Sequence, residues 1–386
     1  MSVIDKISLS EKNHKRIMDT IRINGQISAA QLARINDLQP STVHYILQHL
    51  KNHDLIEVAR QGESTQAGGK PPVLWQLVKD TGYTLGLEVL KKKIRYVIID
   101  FAGNAIGSGE HEIQPANTMY TVAENCRALL TDILMRYRLS KNKAIGIGIG
   151  ITGLVDSTAT SILYSRELET TNYELSTVLS KRMGMPVTLI NDANAGVLGY
   201  NWYNNGQSTN SGHYVYLTIN TDAMNIGCGI LIGGALYTGY HGIAGETSTP
   251  LPNLNQLLNE GIKRSGGHDP LVEKYKHTGL LSMDHVLAYR NEVSSVASFI
   301  IDTITAAIVN EMVIITGFFD PCGFIIGGNI TEMKVLIDEY IRPRLAQLCN
   351  KAIPVENMVP QVIVSPFGKY SVAYGATAVI NMKIFN

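Results

Sequence analysis

Ala144-Ile-Gly-Ile-Gly-Ile-Gly-Ile-Thr-Gly-Leu-Val-Asp156 is the stretch on which the fold turns. Its first eight residues, Ala144–Ile151, carry no charge and run into a glycine turn, which marks a buried strand. Working back from it, a helix is expected at Tyr120–Tyr137. Before that come strands at Tyr83–Leu90, Ile94–Phe101 and His111–Gln114, the second closed by a turn at Ala102-Gly103-Asn104. Working forward, Val187–Ile190 reads as a further buried strand. The same grammar then returns, with strands at Tyr214–Ile219 and Cys228–Ile232, a turn at Gly233-Gly234-Ala235, helices, and a strand at Phe324–Ile326. Two βββαβα-like halves in succession predict an α/β fold of two lobes.

The first seventy residues have a different texture. Asn13–Asn24 places Ile17 and Ile21 on one helical face, with Gly25 as the stop. Ser28 is a good N-cap for a short helix over Ala29–Ile35, and Asn36–Leu38 makes a turn. Pro40-Ser41-Thr42 opens a third helix to about Asn52, in which Val43, Ile46, Leu47 and Leu50 repeat at helical spacing. Leu55-Ile56-Glu57-Val58 reads as the first strand of a wing. This order predicts a winged helix-turn-helix whose third helix enters the DNA major groove. Ser41, Thr42, His44, Tyr45, Gln48 and His49 would face outward, the amide and imidazoles toward base edges and the hydroxyls toward phosphates. Gln61–Pro72 is rich in Gly, Ser and Pro and reads as wing tip and linker, with Lys70 placed to reach a minor groove.

The chain has 386 residues, too many for one core. The expected domains are 1–72, the winged helix and linker, and 73–386. The latter divides into lobes of about 73–195, with the C-terminal helix, and 196–370. Lysine and arginine balance aspartate and glutamate at 33 each, and residues 1–70 carry nine basic against seven acidic side chains. Net charge therefore neither supports nor excludes DNA binding. No uninterrupted run of about 18 apolar residues occurs and the N-terminus lacks an apolar signal region, so a cytoplasmic protein with no membrane partner is expected. Cys126, Cys228, Cys322 and Cys349 are scattered without metal-ligand spacing, so reduced thiols and no metal are expected.

Four motifs together resemble the ROK family of repressors and sugar kinases, and specifically its regulators with an N-terminal winged helix. They are Gly146–Asp156, Asn191-Asp192-Ala193-Asn194-Ala195, Leu236-Tyr-Thr-Gly239-Tyr-His-Gly242-Ile-Ala-Gly245-Glu246, and Gly327-Gly328 after a strand. The resemblance implies the actin/hexokinase architecture, with ligands bound in the cleft between lobes. Asp192 takes the position of the family's catalytic base and Glu246 that of its sugar-binding glutamate. Asn191 and Glu167 complete the expected effector site. Carboxylates and amides suit polyols because they accept from or bridge neighbouring hydroxyls.

The phosphate-binding turns depart from the family. Where it has Asp-x-Gly-Gly-Thr, this chain has Glu88-Val89-Leu90-Lys91-Lys92. Where it has a Gly-Thr-Gly turn, this chain has Asn220-Thr221-Asp222. Backbone N–H groups cradle phosphate where glycine permits the approach, so ATP-dependent phosphoryl transfer is not expected and no cofactor is assigned. The histidine of Glu-x-Gly-His and the family's zinc-binding cysteines are replaced, so no structural zinc is expected. The loop Ser165–Thr170 also departs, which leaves a sugar or a sugar phosphate open as effector. The expectation is a transcriptional repressor of carbohydrate genes, a homodimer or homotetramer on double-stranded operator DNA. The alternatives are an ATP-dependent sugar kinase with an added DNA-binding domain, or a repressor controlled by a protein partner.

Overall fold

A computed structural model describes residues 12–62, 71–113, 118–156, 158–204, 212–221, 224–247, 251–266, 268–277, 281–290, 294–352, 355 and 358–385. They divide into two units. The first gathers the described residues of Met1–Asn191, Trp202–Asn205 and Ala373–Asn386, and the second those of Asp192–Asn201 and Gly206–Val372.

The first unit opens with α1 (Lys12–Asn24), β1 (Ile27–Ser28), α2 (Ala29–Asn36), α3 (Pro40–Asn52), β2 (Ile56–Gln61) and β3 (Val73–Leu77). Ser28 caps α2 as its sequence predicts. The Gln31 N–H donates to Ser28 Oγ at 3.3 Å and the Ser28 N–H donates to Gln31 Oε1 at 3.1 Å, a reciprocal capping box. Asp37, in the left-handed region at φ 51°, ends the helix. Pro40 starts α3, where its missing N–H costs nothing. The strands pair antiparallel in the order β1-β3-β2, a wing sheet beside three helices. Val73–Leu77, which composition assigned to the second domain, is thus the return strand of the wing. Its Trp75 and Leu77 alternate inward and are buried among Ile17, Ile21, Leu32 and Leu47.

The rest of the first unit centres on a five-stranded sheet. It is built from β4 (Tyr83–Val89), β5 (Lys93–Asp100), β6 (Ala105–Glu112), β7 (Ala144–Ile151) and β11 (Val187–Asn191). The third strand begins at Ala105, earlier than its apolar content suggested, because its pairing with β5 continues through exposed residues. Helix α4 (Met119–Arg136) follows it. A small sheet of β8 (Leu154–Val155), β9 (Ile162–Ser165) and β10 (Thr170–Tyr173), then α5 (Leu175–Met183), lies between β7 and β11 in the chain. Ile147, Ile149 and Ile151 enter the core shared with α4 and α5, through Leu130, Ile133 and Leu179. The intervening glycines leave the other face bare, and the C-terminal helix lies directly on it. A Cβ on Gly86 would come 2.0 Å from the Ala373 carbonyl oxygen, and one on Gly148 2.0 Å from that of Ala376.

The second unit repeats this plan. It begins with α6 (Asp192–Tyr203), whose last two residues are counted with the first unit. Its strands are β12 (Tyr214–Asn220), β13 (Asn225–Ile232), β14 (Ala235–Tyr237), β15 (Gly323–Gly327) and β16 (Gln361–Val364). They are ordered β14-β13-β12-β15-β16, the mirror listing of β11-β7-β4-β5-β6 read by position. In both sheets an antiparallel meander of three strands is extended by two parallel strands beside the first. Helices α7 (Leu254–Ser265), α8 (Pro270–Tyr275), α9 (Met283–Ala288), α10 (Ser295–Phe319) and α11 (Arg342–Ala352) cover one face, and α12 (Ser371–Phe385) closes the chain against the first unit's glycine face. By length and composition α10 could cross a membrane, yet its Ile300, Ile304, Ile308 and Met312 are fully buried with Leu217 and Phe324.

The winged helix and its neighbour share one core. Ile17, Ile21 and Trp75 cluster with Phe101, Ile145, Trp202, Ile384 and Phe385. The Arg22 guanidinium of α1 stacks 3.7 Å above the Trp202 ring, donates to the Trp202 carbonyl at 3.2 Å and pairs with Asp19 at 2.8 Å. The Phe385 ring lies tilted at 52° beside the same tryptophan, 5.9 Å away between centroids.

Candidate DNA-reading face and effector residues

On α3 the apolar set Val43, Ile46, Leu47 and Leu50 is buried, which turns Ser41, Thr42, His44, Tyr45 and Gln48 to solvent. Tyr45 is 66% exposed. His49 departs from the expectation. It is half-buried, with its ring 4.7 Å from that of buried His14 on α1 and 4.4 Å from that of His53. The cause is its place on the flank of α3 that meets α1, and the 2.8 Å contact between His53 Nδ1 and the His49 carbonyl draws the rings together. Only its rim is available to a ligand. Lys70 lies outside the described residues. Arg60, on the wing strand, was not anticipated; it donates to Gln26 Oε1 at 3.0 Å on the exposed side.

In the first unit, Asn191 and Glu167 converge on one turn. Asn191 Nδ2 donates to the Gly153 carbonyl at 3.1 Å. Glu167 hydrogen-bonds the Thr152 side chain and accepts from the Lys91 N–H at 3.3 Å. Burial raises the Glu167 carboxyl above the ordinary range, opposed by those two bonds and the Lys91 charge. Gly153 itself sits at φ +116°, with the Tyr164 carbonyl where a Cβ would be, so the turn requires glycine.

In the second unit, Asp192 and Glu246 flank β13. Asp192 is the first residue of α6 and 5% exposed, and its Oδ1 accepts from the Ala193 N–H at 2.8 Å. A Cβ on Gly227 would lie 3.7 Å from that oxygen. One residue on, Gly245 presses against the Cys228 carbonyl, so close that a Cβ would stand 2.1 Å away, and this brings Glu246 to β13. Burial pushes the Cys228 thiol up to about 12, with the charges of Glu311 and Glu246 adding to it. Burial also raises the Glu246 carboxyl. Asp192 is thus a buried carboxyl, whereas Glu246 remains exposed at the surface.

Of the two segments expected to depart from the phosphate turns, the first is described throughout and the second at Asn220 and Thr221. Glu88, 1% exposed, pairs at 3.0 Å with Arg95, also 1% exposed, directly across the sheet. Arg95 reaches Glu110 on the third strand at 3.5 Å, so a row of alternating charge crosses β4, β5 and β6. Burial raises the Glu88 carboxyl, and the adjacent guanidinium opposes this. The Leu90 N–H donates to the Lys93 carbonyl at 3.0 Å, which closes the hairpin with Leu90 buried and Lys91 and Lys92 at its tip. Arg95 was invisible as a site residue because its partner is set by cross-strand register. In the second turn, the Thr221 N–H and hydroxyl both donate to Asn329 Oδ1, at 2.8 and 3.3 Å. Asp222 lies outside the described residues.

A ROK family profile matches residues 84–249. The chain is 24% identical to the xylose repressor of Bacillus spizizenii over 391 aligned positions, covering 98% of this chain and 97% of that one. It is 28% identical to a putative xylose repressor of Caldicellulosiruptor sp., where the match spans 62% of this chain and 58% of the relative. The transcriptional dual regulator NagC of Escherichia coli is 22% identical over 94% of this chain and 90% of its own length. Among solved structures, a ROK family transcriptional regulator homologous to the Escherichia coli Mlc protein superimposes with a TM-score of 0.74 at 19% identity, covering 99% of this chain and 97% of that one. A ROK family glucokinase from Streptomyces griseus, solved with glucose and AMPPNP, superimposes with a TM-score of 0.65 at 20% identity over 78% of this chain and all of that one. The chain thus carries a ROK family domain.

Proposed function

We propose that the protein is a DNA-binding transcriptional repressor of carbohydrate-metabolism genes, controlled by a sugar or sugar derivative. The observation that carries this is a likeness to a xylose repressor along 98% of the chain, winged helix included. A winged helix with Ser41, Thr42, His44, Tyr45 and Gln48 exposed on α3 supports the DNA-binding part. Lys70 and the rim of His49 are proposed as further contacts. Asp192, Glu246, Asn191 and Glu167 are proposed to bind the effector's hydroxyls, and effector binding shifts the population away from the operator-binding state. The proposed domains are the winged helix, ending with β3, and the two-lobed remainder.

The protein acts in the cytoplasm as a homodimer or homotetramer on a roughly palindromic operator. It does not transfer phosphate. Glu88 is engaged by Arg95, the hairpin that follows holds Leu90 where the kinases have glycine, and Asn220 stands in place of the second turn's first glycine. The test is fluorescence anisotropy of the full chain on operator fragments from its own promoter region, with and without D-xylose, D-glucose and N-acetyl-D-glucosamine. Sugar-dependent release supports the reading, and DNA binding indifferent to every sugar refutes effector control. Sugar-dependent ATP hydrolysis in a coupled assay refutes the non-enzyme reading and favours the kinase alternative.

A further inference from the structure

Strand β12 presents two faces of opposite character. Val215, Leu217 and Ile219 enter the large core of the second unit. Tyr214 and Tyr216 turn to the other face and pack on Ala193 and Val197 of α6. Strand alternation then puts Thr218 and Asn220 on the α6 side as well, at the end of the strand nearest the start of that helix. Distances agree. Thr218 is paired across the ladder with Gly227, and a Cβ there would stand 2.7 Å from Thr218 Cγ2, 3.3 Å from the Ala193 Cβ and 3.7 Å from Asp192 Oδ1. Thr218, Gly227 and Asp192 therefore surround one spot, with Asn220 one step further along.

Thr218 is 2% exposed and Asn220 3% exposed. Among the described residues, Thr218 Oγ1, Asn220 Oδ1 and Asn220 Nδ2 have no hydrogen-bond partner. Buried polar atoms are almost always paired, and a lone buried amide opposes folding, so three such atoms on one face of β12, at the end near Asp192, require an account. The neighbouring sequence shows that partners are available to this loop. Thr221, the next residue, is satisfied twice over by Asn329. These three atoms thus lie on the α6 face of β12.

We propose that Thr218 and Asn220 are effector-binding residues beside Asp192, and that they select a neutral polyol over its phosphorylated form. This rests on the effector reading above and deepens it. The chemistry sets the class of ligand. Asp192 only accepts hydrogen bonds, the Asn220 amide both donates and accepts, and the Thr218 hydroxyl does either. Adjacent sugar hydroxyls, each a donor and an acceptor, satisfy all three groups at once. An ionised phosphate has no proton for Asn220 Oδ1 and meets the charge of Asp192, which already occupies the favourable position at the start of α6.

The experiment is calorimetric titration of the full chain, wild type, Thr218→Val and Asn220→Leu, with D-xylose, D-glucose, N-acetyl-D-glucosamine and glucose 6-phosphate, together with thermal melts of each sugar-free protein. The expected result is that the wild type binds a neutral sugar, that each substitution weakens it by about tenfold or more, and that glucose 6-phosphate binds more weakly than glucose. Thr218→Val is isosteric and removes an unpaired hydroxyl, so its sugar-free melting temperature should equal or exceed the wild type's. If the wild type binds a neutral sugar and both variants bind it within twofold, this inference is wrong while the effector reading stands. If the wild type binds none of the four, the effector reading fails and the inference falls with it. A sugar-free melting temperature lowered by Thr218→Val assigns the hydroxyl to the fold and overturns the proposal by another route.

Discussion

Replacing Arg22 by alanine should loosen the winged helix from the body of the first unit, and the size of the effect can be built from its contacts. The guanidinium lies 3.7 Å above the Trp202 ring, a cation–π contact at a desolvated site worth roughly 1–2 kcal/mol. Its hydrogen bond to the Trp202 carbonyl adds about 1–2 kcal/mol, because a charged donor leaves a buried acceptor unpaired when removed. The pair with Asp19 adds about 0.5 kcal/mol, discounted because the Asp19 side chain is 26% exposed. The sum is about 3 kcal/mol, which moves a urea midpoint by about 1 M at an ordinary denaturant slope. The chain offers its own probe, since both of its tryptophans, Trp75 and Trp202, sit in this cluster. Fluorescence therefore reports this core, and far-ultraviolet dichroism reports the whole chain. Arg22→Ala should move the fluorescence transition to lower urea and separate it from the dichroism transition. Arg22→Lys keeps the charge without the planar stacking and should fall between. A fluorescence midpoint within about 0.2 M of the wild type for Arg22→Ala would refute the reasoning, which derives the linkage from this side chain.

Other consequences can be checked in the same preparations. Gly148→Ala drives a Cβ to 2.0 Å from the Ala376 carbonyl, a backbone clash that side-chain rotation cannot relieve. It should cost about 3 kcal/mol or more in urea unfolding, whereas alanine at Gly184, with open space around it, should cost less than about 1.5 kcal/mol. Arg95→Leu leaves Glu88 buried without its counter-charge and should destabilise by about 3–5 kcal/mol, much of it recovered by adding Glu88→Leu. Asp156 should contribute to acid sensitivity. Burial opposes its ionisation, but bonds from Thr158, Ser161 and Thr160 outweigh this and hold its pKa down at about 2, from an ordinary 3.8. A lowered folded-state value gives stability that is present above the unfolded value and lost as pH falls from about 4 toward 2, and Asp156→Asn should flatten that part of the pH–stability curve. Burial pushes the Cys126 and Cys228 thiols up to about 12, while Cys322 is exposed, so iodoacetamide at pH 8 should label Cys322 first, as read by peptide mass spectrometry.

Much of the architecture was legible because it is written in local patterns. Strand Ala144–Ile151 and helix Pro40–Asn52 fall at their expected bounds, and the Ser28 cap forms as its residue type demands. The misplacements have a common physical source. Ala105–Glu112 is a strand through its neighbour's hydrogen bonds and not through its own apolar content. Val73–Leu77 looked like the start of a new domain because the residues before it are a linker by composition, yet a wing strand must return across that gap to pair. His49 was assigned outward by helical phase, whereas its ring lies in the seam with His14.

By itself, then, the sequence determined the element order, the two repeated halves and the residue types at Asp192, Glu246, Glu88–Lys92 and Asn220–Thr221, since each depends on neighbours within a few positions. Tertiary structure alone decided what those residues touch. Arg95 neutralises Glu88 because antiparallel register sets them opposite, Arg22 meets Trp202 across 180 positions, and Thr218 and Asn220 are buried on the α6 face of β12 without partners among the described residues. Such partners are chosen by the folding of distant segments onto one another, which no window along the chain contains.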